Sequence, residues 1–210
     1  MRHIGRAGDA MWHHLPPPMR DGLFGRAVGT GSHAISRQLS SRSQTESTWF
    51  LRDESLLSTT LEIINGSSKP GGESRICSMR CSSGAELYSI LWTVRKARLD
   101  LDVIPLGVGI SAAALEKGRT GCYLAQGKKF RGTDFQHPGR DLFETDGQYL
   151  RIKNWIKRGT TWVQGEASDP GITTMFGLQD VVLANDFLIR MEPRKGSATL
   201  VNVSRLGNQR

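Results

Sequence analysis

The chain has 210 residues, 38% of them hydrophobic and 23% charged, enough for one globular domain with an appendage and a sizeable core. Its net charge of +8 permits acidic partners but bears on association rather than on chemistry. No apolar run approaches a membrane span, no apolar core follows Arg2 and Arg6 as a signal peptide requires, and three cysteines, Cys77, Cys81 and Cys122, fit a reduced, cytoplasmic setting.

Residues 1–44 read as a basic, weakly structured arm, broken by Pro16-Pro17-Pro18, with room for a short helix near Gly31–Leu39. His3, His13, His14 and His33 fall here without the spacing or the Cys and Asp partners of a metal site, so no metal is expected. Residues 45–210 form the second region. Thr48-Trp49-Phe50-Leu51-Arg52 is an apolar patch closed by an arginine. Asp53 is placed to cap a helix through Leu56, Leu57, Leu61 and Ile64. A loop follows from Asn65 to Gly72.

Ile76 to Met79 reads as a buried strand, and Cys81-Ser82-Ser83-Gly84 as the small-residue turn from that strand into a helix. Leu87, Ile90, Leu91, Val94 and Ala97 recur at helical spacing, with Arg95, Lys96 and Arg98 at the end where the dipole favours cations. Strand, tight turn and helix make the first unit of a nucleotide-type α/β site. The glycine would let a ligand approach the backbone, and the first helical turn would present free N–H groups. The turn is no phosphate loop: neither Gly-Lys-Ser/Thr nor G-x-G-x-x-G is present. Glu86 in the first turn would repel phosphate but suits a cationic or hydroxylated ligand. It equally suits a plain, well-capped helix start.

Leu101–Val108 reads as a second strand, blemished by Pro105. Ser111 is placed to cap a helix over Ala112–Lys117. An acid that holds ribose hydroxyls belongs at the tip of this second strand, and Gly109 stands there instead. Lys128–Tyr149 is polar and turn-rich, fit for a small hairpin. Trp155 and Ile156 lie in a basic segment read as a short surface helix. Thr160–Val163 and Asp180–Ala184 read as the third and fourth strands, and Pro193 opens a last helix with Leu200, Val203 and Leu206 on one face.

Four of these segments together resemble, in order, the CheR-type S-adenosylmethionine-dependent methyltransferases, which methylate glutamates of chemotaxis receptors. Thr48-Trp49-Phe50-Leu51-Arg52 resembles the family's Thr-x-Phe-Phe-Arg, and Cys81-Ser82-Ser83-Gly84-Ala85-Glu86-Leu87-Tyr88-Ser89 its Cys-Ser-Ser/Thr-Gly-Glu-Glu-Pro-Tyr-Ser. Gly107–Ser111, Ala114–Arg119 and Gly121-Cys122-Tyr123 resemble its Gly-x-Asp-Ile-Ser…Ala-Leu-x-x-Ala-Arg-x-Gly-x-Tyr. Asp180–Ile189 resembles its Asp-Val-Ile-Phe-Cys-Arg-Asn-Val-Leu-Ile.

The resemblance implies a Rossmann-like class I methyltransferase sheet, with four strands counted here of the family's seven. It implies S-adenosylmethionine as cofactor, a protein substrate with a methylatable glutamate as partner, and a chain cut short before its last strands. The open edge beside Asp180–Ala184 would then invite self-association. Thr48 and Arg52 would reach over the cofactor's methionine end, Arg52 near the reacting centre as the catalytic residue. Cys81, Ser83, Gly84 and Glu86 would line the cofactor, Glu86 taking its ammonium. Gly109 would stand at the ribose, Glu166 against the adenine, and Asn185 and Asp186 nearby. Gly109 and Asp186 replace the family's aspartate and asparagine, and Arg190 its usual tyrosine. Two lost charge-assisted bonds to the ribose, at about 1.5–3 kcal/mol each, would weaken a micromolar site by two or more decades. A degenerate, non-catalytic relative acting through a partner is therefore the alternative. A nucleic-acid module is disfavoured by scattered arginines and the lack of an ordered aromatic platform.

Overall fold

The computed structural model describes residues 49–125, 141–185, 191 and 193–207, all within one compact unit, Glu46–Arg210. The expectations for residues 1–44, Thr48, Asp186 and Arg190, and most of the polar Lys128–Tyr149 stretch, lie outside the described residues.

Helix α1 spans Glu54–Ser67, capped by Asp53, whose side chain accepts from Leu56 N. Strand β1 (Glu73–Met79) leads through the Arg80–Gly84 turn into α2 (Ala85–Ala97). Strand β2 (Asp102–Gly109) leads into α3 (Ala112–Thr120), which is capped by Ser111 and stopped by the left-handed Gly121. Strands β3 (Cys122–Leu124), β4 (Phe143–Asp146) and β5 (Tyr149–Ile152) form a separate antiparallel sheet in the order β3-β5-β4. A short helix α4 (Asn154–Lys157), strand β6 (Thr161–Gln164), helix α5 (Ile172–Phe176), strand β7 (Val181–Leu183) and helix α6 (Pro193–Leu206) complete the order.

The four expected strands make one parallel sheet in the order β6-β2-β1-β7. By chain order within the sheet this is third, second, first, fourth, so the direction of winding reverses between β1 and β7. Pro105 is tolerated because the ladder to β6 begins only at Leu106, one residue beyond it. Among the described residues β7 pairs in the sheet with β1 alone.

Both faces of the sheet are covered, which fits strands whose apolar runs are near-continuous. On one face Ile76, Val103, Val181, Leu183 and Trp162 pack with residues of α1, α2 and the small sheet. On the other, Cys77, Met79, Leu106, Val108 and Val182 pack with Ile172, Phe176, Val203 and Leu206 of α5 and α6. No described helix is long and apolar enough to cross a membrane.

Helix α2 departs from its expected pattern. It is buried from Ala85 to Trp92 and again at Val94 and Arg95, whereas Ala97 is exposed. A helix covered on nearly every side shows no single apolar stripe. Arg95 is therefore not a solvated cation at a helix end. Its guanidinium donates to the carbonyl oxygens of Val103, Trp155, Ile156 and Arg158, tying α2 and β2 to α4. Burial, and secondly the Arg158 charge, press its pKa down to about 10, which leaves it a cation near neutrality. Ile156, expected on a surface helix, is fully buried in the same core. In α6 the buried positions are Thr199, Asn202 and Leu206, while Leu200 is exposed. Asn202 Nδ2 donates to Ala167 O and Asp169 O, so a polar side chain takes the place assigned to leucine.

Arg95→Met should strip these carbonyls of their donor and cost at least about 3 kcal/mol, at about 1–3 per unpaired buried acceptor. Arg95→Lys should recover only part, because an ammonium cannot span the same fork. Urea unfolding midpoints check this; a loss within about 0.5 kcal/mol, as at an ordinary surface site, would refute it.

Candidate functional site

The site forms at the carboxyl ends of β1 and β7, where the strand order reverses; open α/β sheets bind ligands at such points. Its first component is the turn between β1 and α2. Gly84 is the N-cap of α2 at φ +84°, and Arg80 and Ser82 also have positive φ, at 52° and 51°. The turn is held from several sides. Cys81 N donates to Val108 O at 2.9 Å, Gly84 N to Cys81 O at 2.8 Å, and the buried Tyr123 hydroxyl to Ser83 O at 2.6 Å.

Phe50 supplies the second component. It is buried edge-on against Tyr123 and Phe143, with ring centroids 5.0 and 4.8 Å away. Leu51, at φ 51°, donates its N–H to Ser89 Oγ of α2 at 2.9 Å. These contacts direct Arg52 back over the start of α2. Leu51, Arg80 and Ser82 are the non-glycine residues with positive φ among those described, and all three flank this site. Each costs about 1–3 kcal/mol and persists only where its surroundings over-determine it, a habit of ligand sites.

The components meet at Glu86. Its side chain is buried to 9% exposure, and Oε2 receives Asn185 Nδ2 at 3.2 Å and lies 3.5 Å from an Arg52 guanidinium nitrogen. Three expected residues from widely separated segments thus converge on one carboxylate. The other expected residues are placed differently. Cys81 is buried, with Sγ turned toward β2 near Gly107 and Gly109. Ser83 is buried and meets Tyr123 through its carbonyl. Glu166 is exposed, 3.2 Å from Lys195 of α6, and the bond from Lys195, then one from Ser168, holds its carboxyl below the usual range.

Gly84 has a second role that sequence reasoning missed. A Cβ on Gly84 would stand 2.4 Å from the Trp162 ring, one on Gly107 2.7 Å and one on Gly118 2.5 Å. The indole fills a cradle made by three glycines from α2's cap, β2 and α3, beside Tyr88 at 5.7 Å. The sequence signal was an aromatic residue in a strand facing glycines. It becomes readable only once the strand order pairs Trp162 with Gly107.

For the S-adenosylmethionine that the resemblance implies, the site has a carboxylate to meet an ammonium and no acid at the tip of β2 to meet a ribose. Glu86 is a buried carboxylate at a helix start, of the sign an ammonium needs, while Arg52 and Asn185 beside it carry donors suited to the carboxylate of an amino-acid end. At the tip of β2, Gly109 brings no acid, and Leu115 Cδ2 lies 3.1 Å from where its Cβ would be. Among the described residues no cluster of three or more His, Cys, Asp or Glu side chains is arranged to hold a metal ion. Comparison with protein-family models and with curated proteins returns no match to the chain.

Burial pushes the Cys77 thiol up to about 12, and burial followed by the Cys77 charge pushes Cys81 to about 12. A folded-state pKa above the unfolded value holds stability in full below the unfolded pKa and loses it as pH rises through the folded one. Stability should therefore be level with respect to these thiols up to about pH 8.5 and fall progressively toward pH 12. Chemical unfolding across that range tests this, and a Cys77→Ala/Cys81→Ala double variant should show a shallower alkaline fall. At pH 8 a thiol reagent should modify the half-buried Cys122 in the native chain, and Cys77 and Cys81 only on unfolding.

Proposed function

We propose that the chain is a Rossmann-like S-adenosylmethionine-dependent methyltransferase domain of CheR type, acting on protein glutamate carboxylates. The observation that carries this reading is the meeting of Arg52, Glu86 and Asn185 at the reversal point of the sheet. The motif resemblance names these residues for the cofactor from three segments, and the fold brings them within bonding distance. The strand order, third-second-first-fourth, matches one half of a dinucleotide-binding sheet and the first strand of the other, and supports the same reading.

The cofactor supplies a methyl group on a sulfonium, already a good leaving group. The acceptor carboxylate is ionised at neutral pH, so the protein's work is positioning rather than proton transfer. Glu86 would take the ammonium. Arg52, held by the Phe50 anchor and the Leu51–Ser89 bond, would orient carboxylate groups beside it. The glutamate as acceptor comes from the resemblance; the reduced, cytoplasmic setting is read from the three cysteines, all of them free thiols.

A second reading, a non-catalytic relative that acts through a partner, draws support from Gly109 and the closeness of Leu115. Calorimetric titration with S-adenosylhomocysteine separates the two. The enzyme reading expects saturable binding between the micromolar range and about two decades weaker, weakened at least tenfold further in Glu86→Ala, with transferred methyl on a protein acceptor released by alkali, as an ester requires. A folded wild-type chain that binds nothing would overturn it.

A further inference from the structure

The tip of β2 lacks an acid, but the neighbouring strand places an acceptor there. The ladder pairs Gly109 with Gln164, so the two residues share a face of the sheet. Trp162, two residues earlier in β6, lies against Gly107 on that same face. Gln164 Nε2 donates to Ile110 O at 3.1 Å, and Gly165 N donates to Gly109 O at 3.0 Å. The carboxamide is thus laid across the end of β2 and fixed by its donor end. An amide held through its N–H keeps a carbonyl oxygen with two acceptor lone pairs. Among the described residues that oxygen accepts no hydrogen bond from the protein.

The placement also joins this group to the Glu86 site. Cys81 N is bonded to Val108 O, and Cys81 Sγ lies 3.8 Å from the Cβ position of Gly109. The Arg80–Gly84 turn, the β2 tip and Gln164 are consecutive neighbours along one edge of the sheet. A Cβ on Gly109 would lie in tight contact with Leu115, 3.1 Å from its Cδ2, whereas Gln164, exposed, reaches the same tip from the neighbouring strand.

We infer that Gln164 is the ribose-recognition residue of this site, its Oε1 accepting from the hydroxyls of an adenosine-containing ligand in place of an acid on β2. This rests on the reading of the Glu86 site as an S-adenosylmethionine site. A neutral amide gives a weaker acceptor than a carboxylate, so the preference for a ribose diol is smaller than an aspartate would provide.

The test is calorimetry of the full chain with S-adenosylhomocysteine and its 2′,3′-dideoxy analogue, on wild type and Gln164→Ala. Wild type should bind the analogue about fivefold to tenfold more weakly, whereas Gln164→Ala should bind both alike, at the wild type's weaker level. Gln164 is exposed at a strand end, so the variant should keep its urea midpoint. Equal discrimination in both chains, or none in wild type, overturns the role of Gln164 and leaves the cofactor site standing. Failure of folded wild type to bind S-adenosylhomocysteine overturns both. Gln164→Met, which keeps the length but not the acceptor, should behave as the alanine variant does.

Discussion

A helix buried on nearly every side imposes a condition on every polar group it carries. Helix α2 has the sheet on one flank and α1, the small sheet and α4 on others, so Glu86, Tyr88, Ser89 and Arg95 are all buried. An unmatched buried group costs about 1–3 kcal/mol, and all but Trp92 Nε1 of the buried polar side-chain groups described on α2 are paired within the protein. Ser89 bonds Ala85 O and receives Leu51 N; Arg95 finds four carbonyls; Glu86 draws in Arg52 and Asn185. The order of the neighbouring segments follows from satisfying these groups. The turn carrying Arg52 is docked by the Leu51–Ser89 bond and the Phe50 ring, and α4 is held by the bonds Arg95 makes to its carbonyls.

The same condition explains why the candidate site has strained backbone around it. Leu51, Arg80 and Ser82 take left-handed conformations that an L-residue avoids by about 1–2 kcal/mol. They or their chain neighbours are held by bonds with fixed partners: Leu51 N donates to Ser89 Oγ, Cys81 N to Val108 O, and the Tyr123 hydroxyl to Ser83 O. Strain and a converging set of charged and amide groups at one strand-order reversal make a stronger case for a ligand site than either does alone.

Much of the fold was legible because its signals are local. Asp53 and Ser111 mark helix starts, and the four apolar runs bounded by turns became the four parallel strands. What failed to show was decided by partners distant in sequence. Arg95 reads as a helix-end cation until α4 is folded over it. Leu200 reads as core until Asn202 is seen to bridge Ala167 and Asp169. The small hairpin expected near Asp146-Gly147 is present as β4 and β5; β4 buries no residue, and β5 alternates over only four, burying Leu150 and Ile152. In the site, Glu86 was legible from its place in the first turn of α2 and Arg52 through resemblance, whereas Gln164 and Trp162 acquire meaning only when β6 is known to lie beside β2.

The indole cradle has a consequence for how such a chain can vary. Trp162 fits because Gly84, Gly107 and Gly118 have no side chains, and those glycines are enclosed because the indole fills the space. None of the four can change alone without a clash or a cavity. A smaller residue at position 162 would have to appear with larger ones at 107 or 118, while 84 stays glycine for its backbone angle. In related chains these positions should drift as a linked set, trading one large ring for several small side chains, with the start of α2 displaced whenever the exchange is incomplete.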